Sequence, residues 1–148
     1  MSNCGRSAEI RVRNLQRTVP INAAAFEKFA SKALPLCLAL PKTKTTDLTR
    51  LREISVLIVS DRRIASLHRR FLNVSGPTDV ITFSHGEIFI SAETAQRHAR
   101  EFGNPLTREL RLYVVHGLLH LHGFDDSNKV GACKMEKAQE RILKQAEM

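Results

Sequence analysis

A pair of histidines constrains the fold of this chain more than any other feature. His116 and His120 stand four residues apart among apolar residues, a spacing that stacks two imidazoles on one face of a helix. Gly123 offers a residue that readily adopts the left-handed conformation of a helix end, so the chain can turn back there. That turn would bring Asp125 or Asp126 towards the imidazoles. Two histidines and one carboxylate predict a metal site, in which three protein ligands leave the fourth position of zinc to water.

Length and composition favour one domain over residues 1–148, since 148 residues with 43% hydrophobic composition can bury a core of their own. The longest apolar stretch, 33–40, is interrupted by Pro35 and is far shorter than the roughly 20 residues of a membrane span. The first residues lack the apolar core of a signal peptide, so we expect a cytoplasmic protein without a membrane segment. The cysteines are odd in number and lack a CxxC spacing, which predicts plain thiols at Cys4, Cys37 and Cys133.

The periodicity predicts an α+β domain in which a small mixed four-stranded sheet packs with about five helices. The predicted strands are Glu9–Arg13, Glu53–Ser60, Thr78–Phe83 and Glu87–Ser91. The predicted helices run from about Pro20 to Ala30, from a cap at Ser60 or Asp61 through Phe71, from Ala92 to Phe102, from about Leu106 to His122 and from Gly131 to Ala146. Residues 84–86 predict a hairpin or tight corner, and residues 42–46 predict an exposed linker.

Charge is distributed unevenly along the chain, which carries a formal net charge of +8. Residues 1–74 hold 14 lysines and arginines against 5 acidic residues, whereas residues 75–148 hold 9 against 10. A basic half therefore adjoins the half with the histidine pair, an arrangement suited to drawing a polyanion to a reactive centre. A generally basic surface without this role is the alternative that charge alone leaves open.

The other histidines lack such a pattern. His122 points roughly 200° round the helix from His120, so we expect it behind the ligands or on the surface. His68, His85 and His98 are isolated, which predicts solvent exposure or hydrogen bonding, and of these only His85 falls in a loop that could line the site.

Three runs of sequence, Gly76–Phe83, Gly86–Ile88 and His116–Asp126, resemble the YbeY family of bacterial rRNA-maturation endoribonucleases over about residues 50 to 130. The resemblance implies an α+β fold and a zinc-dependent, single-strand-specific endoribonuclease of the cytoplasm. It also implies small-subunit (16S) rRNA as substrate, with trimming of its 3′ end, a role in ribosome quality control, and the ribosome or its associated factors as partners. In that family three histidines in the pattern HxxxHxxxxxH hold the metal.

This chain departs from the family pattern at two places. Asp126 stands where the family has its last histidine, so we take it as the third ligand, and a carboxylate there favours a harder metal such as manganese more than a third imidazole does. Phe71-Leu72 occupies the positions where family members often carry an aromatic residue and an arginine thought to touch RNA. Arg69 or Arg70, about one helical turn upstream, could supply that cation.

Several features of the reaction stay open at this point. Either a water or the 2′-hydroxyl could be the nucleophile, and either Asp125 or a phosphate oxygen could accept the proton. Two other functions remain: a ribosome-assembly RNA-binding factor whose metal is structural or vestigial, and a metal-dependent hydrolase of a small phosphoester or an amide. Gly117 occupies the position of the glutamate in HExxH peptidases, which argues against peptide hydrolysis.

Overall fold

The computed structural model describes residues 8–147, in which four strands and six helices follow the predicted order with one addition. The strands are β1 (Glu9–Asn14), β2 (Glu53–Val59), β3 (Val80–Phe83) and β4 (Glu87–Ser91). The helices are α1 (Ala23–Leu38), α2 (Asp47–Arg50), α3 (Asp61–Leu72), α4 (Ala92–Phe102), α5 (Leu106–Leu121) and α6 (Lys129–Ala146). The predicted α+β class and mixed sheet are confirmed, and the short α2 is the helix that the sequence did not predict.

The sheet has the strand order β1-β2-β4-β3, in which β1, β2 and β4 are parallel and β3 lies antiparallel at one edge. The central strand β2 is almost wholly buried because both of its faces are covered, which explains its continuous apolar sequence. The predicted hairpin joins β3 to β4. Gly86 makes this turn possible with a φ of +107°, and a Cβ there would lie only 2.8 Å from the carbonyl oxygen of Glu53.

Apolar side chains form two separate clusters of buried residues. The larger contains buried side chains of α1, α5 and α6, and the smaller joins Ile64 of α3 to the strand residues Leu57, Val59, Ile81 and Phe89. Helix α5 is deeply placed, with Val114 and Leu118 fully buried. The histidine pair thus sits on a rigid element whose other faces are held by the core.

Two local predictions need correction. Helix α1 continues through Pro35 because the nearby residues Leu34 and Cys37 are buried, and their packing outweighs the loss of one backbone hydrogen bond. The prediction of an exposed linker holds for residues 42–45 but is wrong at Thr46, which is buried. The Thr46 hydroxyl accepts a hydrogen bond from the backbone N–H of Thr49 and caps α2, so its burial leaves the hydroxyl with a partner.

The cysteines agree with the prediction of plain thiols where the structure describes them. Cys37 is fully buried, which raises the pKa of its thiol to about 12, and Cys133 is exposed. Cys4 lies outside the described residues. Within residues 8–147, each helix is too short or too polar to cross a bilayer.

Candidate metal centre

The side chains of His116 and His120 meet at the C-terminal end of α5. Their Nε2 atoms are 3.0 Å apart, and their rings cross at 79° with centroids 4.6 Å apart. Both side chains are about one-third exposed, so the pair opens to solvent on one side. The predicted convergence of the two imidazoles is therefore present in the structure.

The end of α5 brings a carboxylate to this pair. The N–H of Gly123, whose φ is +88°, donates to the carbonyl of His120, and the N–H of Phe124 donates to the carbonyl of Leu119. These two bonds form a Schellman motif, in which a left-handed residue reverses the chain. The chain then carries Asp126 back to the histidines, with its carboxylate oxygens 3.8 Å from Nε2 of His116 and 3.9 Å from Nε2 of His120.

Hydrogen bonds to the far sides of the rings set the direction of their lone pairs. Nδ1 of His116 lies 3.1 Å from Oε1 of Gln139 on α6, and Nδ1 of His120 lies 3.1 Å from the carbonyl oxygen of Phe124. Because both partners are acceptors, each Nδ1 carries its proton and donates it. When both rings are neutral, their Nε2 lone pairs then face one another. In metal sites, hydrogen bonds to Nδ1 orient histidine ligands towards the cation in the same way.

Electrostatics keeps at least one ring of the pair neutral. Burial, and after it the charge of His120, lowers the pKa of His116 below its usual value. The hydrogen bond to Gln139 and the negative charges of Asp126 and Asp79 act in the opposite direction but do not cancel the decrease. His116 is therefore deprotonated at neutral pH, which is the form that binds a metal.

The donor set fits a divalent transition metal. The two nitrogens and one oxygen lie within 4.8 Å of one another. Ligands bound to a tetrahedral zinc ion are about 3.3 Å apart, a value between the 3.0 Å separation of the nitrogens and their 3.8 Å and 3.9 Å distances to the carboxylate. Small side-chain movements, of the two imidazoles apart and of Asp126 inwards, would close these differences. The cluster can thus hold a metal ion, and its mixed nitrogen and oxygen donors suit zinc or manganese.

Asp125 has a different environment from its neighbour. Its carboxylate accepts hydrogen bonds from the hydroxyl and the backbone N–H of Ser127, at 2.9 Å and 3.0 Å, and these bonds hold its pKa below the usual value. A carboxylate engaged in this way is a weak proton acceptor, so the geometry favours a role in shaping the loop over the alternative of a general base. Gly131 of α6 packs against the same loop, since a Cβ there would lie 2.1 Å from the carbonyl oxygen of Asp125.

Of the two positions that the sequence left open for His122, behind the ligands or on the surface, the structure excludes the surface. His122 is buried, with Nδ1 at 3.0 Å from the hydroxyl of Thr46 and Nε2 at 2.8 Å from the carbonyl of Leu40. It therefore ties the end of α5 to the segment between α1 and α2 and does not contact His116 or His120. The sequence missed this role because both partners are about 80 residues away.

The three isolated histidines make hydrogen bonds, as predicted. His68 bonds the carbonyl of Gly76 and His98 bonds the hydroxyl of Tyr113. His85 bonds Glu87 through Nε2 at 2.6 Å and stacks on the ring of Phe83. The described contacts of His85 are thus within its own hairpin, and the structure does not bring it into the His116–His120–Asp126 cluster.

Gly117 explains why this helix cannot carry the chemistry of an HExxH peptidase. It faces the sheet, and a Cβ there would lie 2.9 Å from a methyl group of Ile88 and 3.0 Å from the hydroxyl of Thr82. A glutamate at this position would require the side chains of Ile88 and Thr82 to move. The packing of the helix on the sheet therefore disfavours a glutamate at this position.

Arg69 and Arg70 lie in the last turn of α3 and are both exposed. Neither forms an ion pair with another residue in the 8–147 range. The guanidinium of Arg70 lies 5.6 Å from the ring centroid of Phe71, a half-exposed side chain that itself packs edge-on against Phe83 at 5.4 Å. Positive charges and an exposed aromatic ring thus lie side by side here, a combination that is common in proteins that bind single-stranded nucleic acid.

Sequence reasoning missed two residues that shape the cluster, although each left a signal. Gln139 stands four residues after Met135 and three before Ile142, both buried, so a polar side chain lies beside the buried stripe of α6. Gly131 was expected to begin α6, but the helix begins at Lys129, which leaves a glycine inside the helix. An isolated glycine within a helix indicates close packing.

Comparison with known proteins gives a consistent result at the levels of sequence and fold. The family model described as Endoribonuclease YbeY matches residues 11–147. The endoribonuclease YbeY of Moorella thermoacetica is 39% identical over 110 residues, which cover 62% of this chain and 70% of that protein. The endoribonuclease YbeY of Syntrophus aciditrophicus is 33% identical over 150 residues, covering 90% and 88% of the two chains. The solution structure of the Thermotoga maritima protein TM1509 matches with a TM-score of 0.64 and 25% identity, covering 93% of this chain and 88% of that one.

Proposed function

The chain belongs to the endoribonuclease YbeY family, and on this basis we propose that it is a metal-dependent endoribonuclease that cleaves single-stranded RNA. Its substrate is the 3′ end of small-subunit rRNA, and its partners are the ribosome or ribosome-associated factors. It acts in rRNA maturation and ribosome quality control in the cytoplasm, as one domain over residues 1–148.

One observation carries the proposal: two imidazole Nε2 atoms face each other 3.0 Å apart while both Nδ1 atoms are engaged with acceptors. Two neutral imidazoles held in this way aim their Nε2 lone pairs at a common point, where a shared cation is stabilised. Within residues 8–147 the cluster supplies three donors, which leaves a tetrahedral metal with one open position, whereas a structural zinc site is closed by four protein ligands. This difference favours an enzyme over an assembly factor with a structural metal.

In the proposed reaction His116, His120 and Asp126 hold a zinc or manganese ion. The bound ion would supply a Lewis acid for a phosphate oxygen and would lower the pKa of a bound water. Gln139 and the carbonyl of Phe124 keep the Nδ1 protons in place, so the imidazoles present Nε2 to the metal throughout.

RNA would be held mainly through its phosphates by the basic half of the chain. Arg69 and Arg70 fit this task because they are exposed and unpaired within the described part of the chain and lie beside the exposed ring of Phe71. Arginine can grip a phosphate with two parallel hydrogen bonds, while an aromatic face accepts an unstacked base.

The test is a cleavage assay with metal-free protein that has been reloaded with one divalent ion at a time. Labelled RNA from the 3′ end of small-subunit rRNA is offered as a single strand and as a preformed duplex. We expect cleavage of the single strand only, and only after reloading. His116→Ala and His120→Ala should reduce it to background, while the control His68→Gln, which keeps a side chain able to bond Gly76, should not.

Metal analysis of the same proteins tests the ligand assignment. Asp126→Ala should lose stoichiometric metal, whereas Asp126→His, which restores the family pattern, should retain it. Full metal occupancy in Asp126→Ala would exclude Asp126 as the third ligand. Equal cleavage by wild type and His116→Ala would point to a contaminating nuclease and would remove the enzymatic proposal.

A further inference from the structure

A cavity of about 520 Å³ opens against the loop between α5 and α6, the loop that also carries Asp126. Its walls come from the loop that follows α5, from the first two turns of α6 and from Lys42 in the segment after α1. Phe124 and Val130 provide apolar surface, and Val130 is unusually exposed for a valine, at 65%. A concave site of this size that combines apolar surface with a few charged groups is typical of ligand-binding sites in proteins.

The charged groups of this cavity are almost all positive. Lys42, Lys129 and Lys134 line it, and none of the three forms an ion pair with another of the residues described. The ammonium group of Lys42 lies 3.7 Å above the ring centroid of Phe124, which holds it in the cavity wall by a cation–π contact. Among the described residues that line the cavity, Asp125 alone is acidic, and Ser127 already engages its carboxylate. The cavity is therefore suited to an anion.

The cavity and the metal cluster share one stretch of backbone. Asp125 lines the cavity and Asp126, the next residue, belongs to the cluster. Consecutive Cα atoms are about 3.8 Å apart, so one residue step of the loop joins the cavity wall to the cluster.

We propose that this cavity is a phosphate-binding subsite, in which Lys42, Lys129 and Lys134 hold a backbone phosphate of the RNA adjacent to the phosphodiester at the metal cluster. The proposal rests on the proposed endoribonuclease function and adds a specific position for the substrate strand. Lysine binds phosphate as a mobile point charge, which tolerates variation in sequence and in backbone conformation. The subsite thus positions the strand without reading its bases.

The test compares two triple variants with the same change in net charge. Lys42→Gln/Lys129→Gln/Lys134→Gln removes the positive charges of the cavity. The control Lys28→Gln/Lys137→Gln/Lys144→Gln removes three lysines that do not line it. Binding of a labelled single-stranded RNA is measured by fluorescence anisotropy over a range of salt concentrations, with metal-free and with metal-loaded protein.

We expect the cavity variant to bind RNA more weakly in both forms. Its slope of log Kd against log salt concentration should fall by about 0.7 for each RNA phosphate that the variant no longer neutralises, and the control slope should stay nearer to wild type. In cleavage assays the cavity variant should raise KM and keep kcat and metal content. The triple Lys→Arg variant at the same three positions, which keeps the charge, should bind as wild type does.

Three results would overturn the subsite. The first is equal weakening in the two triple variants, and the second is loss of metal in the cavity variant. The third is tight binding of inorganic phosphate by wild type that is lost in the cavity variant while RNA binding is unchanged, since this would indicate a site for a free anion. The RNA-binding measurements on metal-free protein remain informative if wild type fails to cleave RNA, so failure of the subsite and failure of the nuclease proposal can be told apart.

Discussion

Replacement of Gly131 by alanine should weaken metal binding while the protein stays folded. The added Cβ would lie 2.1 Å from the carbonyl oxygen of Asp125, whereas real Cβ contacts are essentially never below 3.0 Å, so the two atoms must separate by at least 0.9 Å. The oxygen belongs to backbone rather than to the end of a flexible side chain. Either the loop that carries Asp126, the next residue, or the first turn of α6 must therefore move, and both movements change the distance between Asp126 and the histidines of the cluster.

The expected loss follows from the tolerance of metal sites. Ligand distances in a functional site stay within about 0.2 Å of their usual values, and a shift several times larger at Asp126 should remove most of its bond to the metal. We expect metal affinity to fall by about 10- to 100-fold, the range seen when the supports of metal ligands are lost. Alanine is a better helix former than glycine by about 1 kcal/mol, so the substitution favours α6 itself.

The assay is titration of metal-free Gly131→Ala with Zn²⁺ and Mn²⁺ by calorimetry, together with thermal unfolding in the absence of metal. Val130→Ala is the matched control, because Val130 is exposed and precedes Gly131 in the same helix. In an Asp126→Ala background the Gly131 substitution should have no further effect on metal binding. Wild-type affinity in a folded Gly131→Ala protein would refute the reasoning, and so would equal losses in the single variant and in the Asp126→Ala background.

Two further predictions follow from hydrogen bonds in the structure. Gln139→Leu removes the acceptor for Nδ1 of His116, so the zinc affinity of this variant should fall by about 10-fold or more. Gln139→Glu keeps an acceptor at this position and should keep the wild-type zinc affinity. Unchanged zinc affinity in the leucine variant would show that Gln139 does not orient His116. Burial raises the pKa of Asp61. The hydrogen bonds that its carboxylate accepts, of which the one from Arg97 has the largest effect, outweigh burial and lower the pKa overall. Its stabilising contribution is therefore complete above the unfolded value of about 3.9 and is lost as the pH falls through the lower folded value. Asp61→Asn should reduce the free energy of unfolding by about 2 kcal/mol at neutral pH, and the difference from wild type should be smaller in acid. Urea unfolding of both proteins at several pH values measures this difference. A difference that does not change with pH would contradict the prediction.

The sequence predicted those parts of the fold that depend on local periodicity. The alternating residues of β1, the apolar run of β2 and the Ser60 and Ser91 caps of α3 and α4 all specify their elements through neighbours in the chain. The meeting of His116 with His120 was predictable for the same reason, since a helix fixes the relation of residues four apart.

Contacts between distant segments were not predictable in this way. The burial of His122 depends on Thr46 and Leu40, and nothing in the local sequence of either segment indicates that they meet. The support of His116 by Gln139 depends on how α6 packs against α5. Periodicity identifies the buried face of a helix, but it does not identify the element on which that face packs.

The close packing at Gly117 limits how a helix of this kind can evolve. The glycine codons GGA and GGG become glutamate codons through a single base change, so a gene that uses either of them at position 117 is one mutational step away from the HExxH sequence of the peptidases. That step is nevertheless blocked, because Ile88 and Thr82 already occupy the volume that the new side chain would need. Reaching peptidase chemistry would require smaller residues on β3 and β4 beforehand, and those changes would loosen the core before they brought any benefit. Nucleases of this kind and HExxH peptidases can therefore share the spacing of their histidine ligands, while the packing of the helix on the sheet hinders stepwise substitution from one to the other.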